Sequence, residues 1–192
     1  MSYRCLTHQQ FELDHYTLVP IREEDMEAVR VWRNSQLRYL RQEELLTVEQ
    51  QKNYYHTVLE PSFGEKEPRQ VLMSLLYRGV CIGYGGIVHI HWIDRRGEVS
   101  FLVATERSLN SEVYTRDFVH FLCLIKRVGF EDLHLHRLQT ETYAIRPVLH
   151  TQILESQGFV LEGRMKEHVR IEGQFVDTVI HGCVDGTKRM EK

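Results

Sequence analysis

Two hydrophobic periods alternate along the chain, and their order predicts a mixture of strands and helices. Residues 16–21 have the apolar alternation of a strand, whereas residues 25–34 repeat apolar side chains at helical spacing. A second helix is predicted over residues 47–59, because Thr47 and Gln50 have the spacing of a capping box just before the periodic segment. A turn-rich connection should follow this helix.

The two-residue period of strands returns in the middle of the chain. Strands are predicted over residues 71–77, 80–93 and 98–103, joined by tight turns into an antiparallel meander. Glycines interrupt the long middle strand at positions 83, 85 and 86, where a bulge or a close approach of two backbones is expected.

The register of this meander decides which side chains share a face of the sheet. If Ile93 pairs with Glu98 across the second turn, then His89 and His91 lie on the same face as Glu98 and Ser100. The opposite face is apolar and needs a helix to cover it.

The last third of the chain returns to alternating helix and strand. The covering helix is predicted over residues 113–129, followed by a strand over residues 133–143 and a helix that ends at Gly158, a position that calls for positive φ. A strand-helix-strand passage of this length predicts a parallel pair with a right-handed crossover. The expected fold class is α/β, with a mostly antiparallel mixed sheet, a central parallel pair and flanking helices.

Composition narrows the class of protein. With 192 residues, 42% of them hydrophobic, the chain suits a single domain over residues 1–192, with a core from about residue 16 to residue 184. The absence of a long apolar run and of a signal-peptide pattern predicts a cytoplasmic protein with no membrane partner. A net charge of −3 without a basic run argues against nucleic acid. The cysteines and the eleven histidines lack metal-ligand spacing, so no metal is expected.

The order of elements between residues 16 and 184 resembles that of the GNAT acetyltransferases, as does the passage from Gly158-Phe159 into a strand and a hairpin. The resemblance implies an N-acetyltransferase in which a primary amine attacks acetyl-CoA, the co-substrate, directly. It also implies that strands 98–104 and 134–143 splay apart and bind the co-substrate through Phe101, Leu102 and Val103.

The resemblance places the phosphate-binding loop at residues 105–113. The family loop reads R-x-x-G-x-G or G-A, whereas this chain has R-S-L-N-S-E from position 107. Asn110 adopts positive φ more easily than most residues, and Arg107, Ser108 and Ser111 could donate to phosphate, although Glu112 would repel it. The alternative is a loop that no longer holds the co-substrate, which would make the protein a non-catalytic GNAT-like binding module.

Candidate catalytic residues come from the two strands expected to splay. Glu98 lies in G-E-V-S-F, a segment that resembles A-E-I-S-F of the family, and is the first candidate base, with Glu141 second. Leu154 stands where many relatives have the tyrosine that protonates the leaving thiolate, so Tyr143 is the candidate acid. The alternatives are that Glu98 pairs with the arginines of the preceding turn and that Tyr143 only caps the core.

The acceptor is expected to bind beside the first two helices. Trp32-Arg33-Asn34, with Arg38, Arg41 and a later T-x-E-x-Q, resembles a region of relatives that acetylate nucleotide-linked amino sugars. The resemblance implies that these residues, with His89 and His91, bind an amino-sugar nucleotide or another small amine. A protein N-terminus is the alternative acceptor. A core role for Trp32 and a solvated face for the arginines also fit the pattern. Edges of the final hairpin, residues 169–179, would permit a homodimer.

Overall fold

An eight-stranded sheet organises the chain, with the strand order β1-β2-β3-β4-β5-β6-β8-β7. The computed structural model describes residues 1–40, 42 and 44–186. The strands are β1 (Phe11–Leu13), β2 (Tyr16–Pro20), β3 (Val71–Tyr77), β4 (Val80–His91), β5 (Arg96–Val103), β6 (Arg137–Tyr143), β7 (Val160–Ile171) and β8 (Gln174–Val184). Neighbouring strands of the sheet run antiparallel except β5 and β6, which are parallel, so the predicted fold class is confirmed.

Six α-helices flank the sheet within the described residues. They are α1 (Met26–Ser35), α2 (Val48–Tyr54), α3 (Glu60–Gly64), α4 (Thr105–Leu109), α5 (Ser111–Lys126) and α6 (Pro147–Ser156). The capping box at Thr47 and Gln50 forms as predicted. A π-helical segment, Tyr55–Leu59, carries α2 directly into α3, where a turn-rich connection was expected. Pro61 stands in the first turn of α3, directly after the π-helical segment.

The helices cover opposite faces of the sheet. The rings of Phe118 and Phe121 on α5 pack against Phe101 of β5, 4.9 and 4.6 Å between centroids. On the other side, Arg33 of α1 donates to the hydroxyl of Tyr84 on β4. Tyr84 pairs with Leu102, which is the next residue after Phe101 on β5. Because neighbouring side chains of a strand point to opposite faces, α5 and α1 lie on opposite sides of the sheet.

The predicted register of β4 and β5 is wrong. Glu98 pairs with Val88, and the ladder is interrupted before His91 pairs with Arg96. His89 lies in this interruption with φ 51°. The extra residues of the bulge shift the turn, which leaves Ile93 91% exposed rather than paired with Glu98.

The parallel strand begins later than expected. β6 starts at Arg137, and His134 has φ 53°, so residues 133–136 form a connection instead of the start of the strand. Gly158 has the predicted positive φ, 81°, after α6.

Glycine at position 86 allows a close approach of two strands. A Cβ there would overlap the carbonyl oxygen of Val71 and lie 2.8 Å from Leu72 Cα, both backbone atoms of β3. We expect Gly86→Ala to lower the free energy of unfolding by about 1–3 kcal/mol. Gly163→Ala is the control, because nothing lies within 4 Å of its Cβ. Urea denaturation of both variants tests this, and equal stabilities would contradict it.

Candidate active site

Strands β5 and β6 separate after three paired residues. The parallel ladder joins Arg96 to Arg137, Gly97 to Leu138 and Glu98 to Gln139, and the register then stops. These two strands therefore splay apart from residue 99 of β5 and residue 140 of β6 onward, within the segments for which the resemblance implied it.

Backbone groups of β5 point into this gap. The amide of Ala104 donates to Ile82 on β4, so by the alternation of a strand the amides and carbonyls of Val99, Phe101 and Val103 face β6. Leu102 turns its backbone to β4 and contributes only its side chain. The Val103 carbonyl accepts from Gln36 Nε2 at 2.9 Å, and sequence reasoning missed this glutamine.

A cleft of about 370 Å³ opens between the separated strands. Its α5–α6 face, as we call the side towards those helices, carries Val99, Phe101, Tyr114, Phe118, Thr140 and His150. Its α1 face, on the other side of the sheet, carries Arg33, His89, Glu98, Ser100, Glu141 and Tyr143. The assignment follows from strand alternation, starting from the contact of Phe101 with α5.

Glu98 lies at the point where the two strands part. Its side chain is 14% exposed, and its Oε2 lies 3.1 Å from His89 Nδ1. The bulge in β4 brings His89 to this carboxylate. His91, which was expected on the same face, lies at the turn instead, with its Nδ1 3.1 Å from Asp94 Oδ2. The cleft therefore contains one of the two predicted histidines, together with Glu98 and Ser100.

The second candidate base and the candidate acid lie on the other strand. Glu141 and Tyr143 line the same α1 face from β6, across the gap from Ser100 and Leu102. Both side chains are partly buried. The structure thus places Glu98, Glu141 and Tyr143 on the α1 face of one cleft.

The predicted phosphate loop is helical. Residues 105–109 form α4, and Asn110 has φ −96° instead of the expected positive value. Its Oδ1 accepts from the amides of Glu112 and Val113, each at 3.1 Å, so Asn110 caps α5. Ser108 Oγ donates to the Thr105 carbonyl at 2.8 Å, and Ser111 is exposed as the first residue of α5.

Arg107 is held by a buried carboxylate. Its Nε and Nη2 donate to Asp117 at 2.6 and 2.8 Å, and the fully buried Asp117 also accepts from the Tyr16 hydroxyl at 2.6 Å. This contact raises the pKa of Arg107 and fixes α4 against α5. Arg146 lies closer to the cleft, where its Nη1 donates to the Ser108 carbonyl at 2.7 Å. Its position just before α6 is the signal that could have identified it.

Of the helix α1 residues expected to bind the acceptor, Arg33 lines the cleft, and Trp32 and Asn34 do not. Trp32 packs against the core. Arg33 donates to the Tyr84 hydroxyl at 2.7 Å and to Gln42 Oε1 at 2.9 Å. Asn34 bonds the backbone of Leu46 and so ties α1 to the segment before α2. Arg41 and the side chain of Arg38 lie outside the described part of the chain.

The α5–α6 face contains a histidine that sequence reasoning missed. His150 Nε2 lies 3.1 Å from the Tyr114 hydroxyl. Burial, helped by the nearby Arg146 and His181, lowers the pKa of His150 to about 4. Burial likewise raises the pKa of Tyr114. Both groups are therefore neutral at pH 7.

The low pKa of His150 predicts a pH-dependent stability. The unfolded chain, with a histidine pKa of 6.5, binds more protons than the folded chain between pH 6.5 and about 4, so stability falls on acidification through that window. From pH 7 to pH 5 this residue should remove about 2 kcal/mol. Urea denaturation at both pH values measures the loss of stability between them. This loss should be smaller by that amount in His150→Gln than in the wild-type protein. Identical losses in the two proteins would contradict the prediction.

A model of the GNAT acetyltransferase domain matches residues 18–180. The chain therefore belongs to the GNAT acetyltransferase family, and the family, the enzyme class and the fold expected from the sequence are confirmed. A comparison with curated proteins gave no significant match.

Solved structures share this fold at low sequence identity. A ribosomal-protein-S5-alanine acetyltransferase from Vibrio fischeri superposes with a TM-score of 0.72 and 19% identity, over 92% of this chain and 97% of that chain. A spermidine N-acetyltransferase from Vibrio cholerae, in complex with CoA and spermine, gives 0.70 and 18%, over 88% of this chain and 95% of that chain.

In the described ranges, no three His, Cys, Asp or Glu side chains are grouped so as to hold a metal ion. None of the helices described is long and apolar enough to cross a membrane.

Proposed function

We propose that the protein transfers the acetyl group of acetyl-CoA to the primary amine of a small molecule, with Glu98 as the base. The observation that carries this proposal is the separation of β5 from β6, which opens one cleft onto two faces of different chemistry. The α1 face carries carboxylates, and the α5–α6 face carries aromatic side chains and neutral polar groups.

The α5–α6 face suits the thioester co-substrate. The backbone groups of Val99 and Phe101 and the amide of Val103 point into the gap, where an extended chain containing amides can pair with them as a strand would. The N-terminus of α5, a helix of 16 residues, and the guanidinium of Arg146 lie at the open end and favour phosphate. The Asn110 cap would have to give up its bonds to the α5 amides for phosphate to use them.

The α1 face suits an amine. An ammonium group is attracted to Glu98 and must lose a proton before its nitrogen can attack a carbonyl carbon. Glu98 is partly shielded from water, and His89 contacts its carboxylate from the exposed side. This arrangement lets Glu98 accept the proton, directly or through a water molecule, and pass it to solvent by way of His89.

Charge on this face favours a small amine over a nucleotide-linked sugar. Arg33, one of the three arginines expected beside a nucleotide-linked sugar, is bonded to Tyr84 and Gln42. The carboxylates of Glu98 and Glu141 would repel a diphosphate on the α1 face of the cleft. The amino-sugar nucleotide expected from the sequence stays a prediction, to be tested beside simple amines.

The experiment is an acetyl-transfer assay with mass-spectrometric detection of the acetylated product. The acceptors are a diamine, a monoamine, an amino-sugar nucleotide and a short peptide with a free N-terminus. Acetylation of the monoamine or the diamine in preference to the amino-sugar nucleotide supports the proposal. Preference for the peptide would favour the protein N-terminal alternative. Failure with every acceptor, together with no binding of acetyl-CoA, would favour the non-catalytic binding module.

A further inference from the structure

Four buried polar side-chain atoms on β6, α6 and β8 have no protein hydrogen-bond partner. They are Thr140 Oγ1, His150 Nδ1 and both ring nitrogens of His181, and no other such side-chain atom occurs in the described residues. Thr140 and His181 are direct cross-strand partners, and Thr140 and His150 line the cleft. Protein interiors leave few polar atoms unpaired, so a cluster of them indicates a place where a group from outside the protein binds or reacts.

Tyr114 holds one of these side chains from the neighbouring helix. Its hydroxyl lies 3.1 Å from His150 Nε2, and the rings of Tyr114 and Phe118 flank the imidazole at 5.6 and 6.3 Å between centroids. If the hydroxyl donates to Nε2, the neutral imidazole carries its hydrogen on Nδ1. Nδ1 is the buried ring nitrogen without a protein partner, so the pair leaves one hydrogen-bond donor unused on a side chain that lines the α5–α6 face.

The proposed reaction needs a proton on this face. When the bond between the acyl carbon and sulfur breaks, sulfur keeps the electron pair and must gain a proton to leave as a thiol. Glu98, Glu141 and Tyr143 lie on the α1 face, where the amine enters. Leu154, one turn after His150 on α6, is apolar and fully buried. Apart from Arg146, which keeps its proton, Tyr114 and His150 are the titratable side chains of the described residues that line the α5–α6 face.

We propose that His150 protonates the departing sulfur and that Tyr114 positions His150 and replenishes its proton. This inference rests on the proposed function. The carbon–nitrogen bond forms as the carbon–sulfur bond breaks, and the Nδ1 hydrogen of His150 moves to the sulfur. The hydroxyl hydrogen of Tyr114 moves to Nε2. The proton given up by the amine goes to Glu98 and then to solvent, and a solvent proton returns to Tyr114 after the products leave.

The kinetic test uses variants that change the side-chain volume in the cleft only slightly. Tyr114→Phe and His150→Gln should each lower kcat by about a hundredfold, whereas the Kd for acetyl-CoA should change less than threefold. Tyr54→Phe, on α2 and outside the cleft, is the control with unchanged kcat. Tyr143→Phe tests the competing acid, so a larger loss of kcat in Tyr143→Phe than in Tyr114→Phe would overturn the proposal. Equal losses in kcat and in binding would mean a structural role and would also overturn it.

A second readout does not depend on turnover. Nitrogen-15 NMR of the histidine rings should show one resonance, absent from His150→Gln, that shifts when CoA is added. Desulfo-CoA, which lacks the sulfur, should bind without that shift. An identical response to the two ligands would overturn the role of His150 but leave the proposed function intact. A wild-type protein that binds CoA yet acetylates no amine would remove the proposed function, and this inference with it.

Discussion

Glu98→Gln is expected to lower kcat by about 10²- to 10⁴-fold while leaving the Kd for acetyl-CoA unchanged. The amide keeps the size of the side chain and can still contact His89, but it cannot accept the proton of the attacking amine. The residue lies where β5 and β6 part, on the face opposite α5 and α6. Steady-state kinetics, with calorimetric titration of acetyl-CoA alongside, measure the two quantities separately.

Two further glutamate variants are compared with Glu98→Gln. Glu131→Gln, an exposed position after α5, is the control and should leave kcat unchanged. Glu141→Gln tests the second candidate base from β6. A loss of kcat in Glu141→Gln that exceeds the loss in Glu98→Gln would move the base to the other strand, and an unchanged kcat in Glu98→Gln would remove its proposed role.

Asp117→Asn is expected to lower the free energy of unfolding by about 3–5 kcal/mol. The carboxylate is fully buried and binds both Arg107 and the Tyr16 hydroxyl, so the substitution leaves a half-buried guanidinium without its charged partner. Because this contact also fixes α4 against α5, the variant should bind acetyl-CoA more weakly. Urea denaturation and calorimetry measure the two effects.

A surface ion pair provides the matched control for Asp117. Glu162 on β7 bonds Arg137 on β6, but the carboxylate is 38% exposed. Glu162→Gln should therefore cost less than about 1 kcal/mol. Similar losses in the two variants would contradict the claim that burial makes the Asp117 contact stabilising.

The sheet was predictable from the sequence because its signals are local. Strand β3 has the predicted bounds, residues 71–77, and the capping box at Thr47 and the positive φ of Gly158 each follow from a few neighbouring residues. The parallel pair followed from the length of the crossover between β5 and β6. These inferences needed no knowledge of contacts between distant residues.

The site was less predictable because its contacts join distant parts of the chain. The bulge at His89 depends on how β4 meets β5, and it changed which histidine reaches Glu98. Arg107 looked like a phosphate ligand until the fold brought it to Asp117. The contact between Tyr114 and His150 spans 36 positions and has no motif of its own. Pattern alone could not rank these side chains.

Calorimetric titration of the purified protein with acetyl-CoA is the decisive measurement, because every proposed role depends on co-substrate in the gap between β5 and β6. We expect a one-to-one complex with micromolar Kd, about −8 kcal/mol, and weaker binding by Arg146→Ala. The absence of detectable binding at millimolar acetyl-CoA would contradict it.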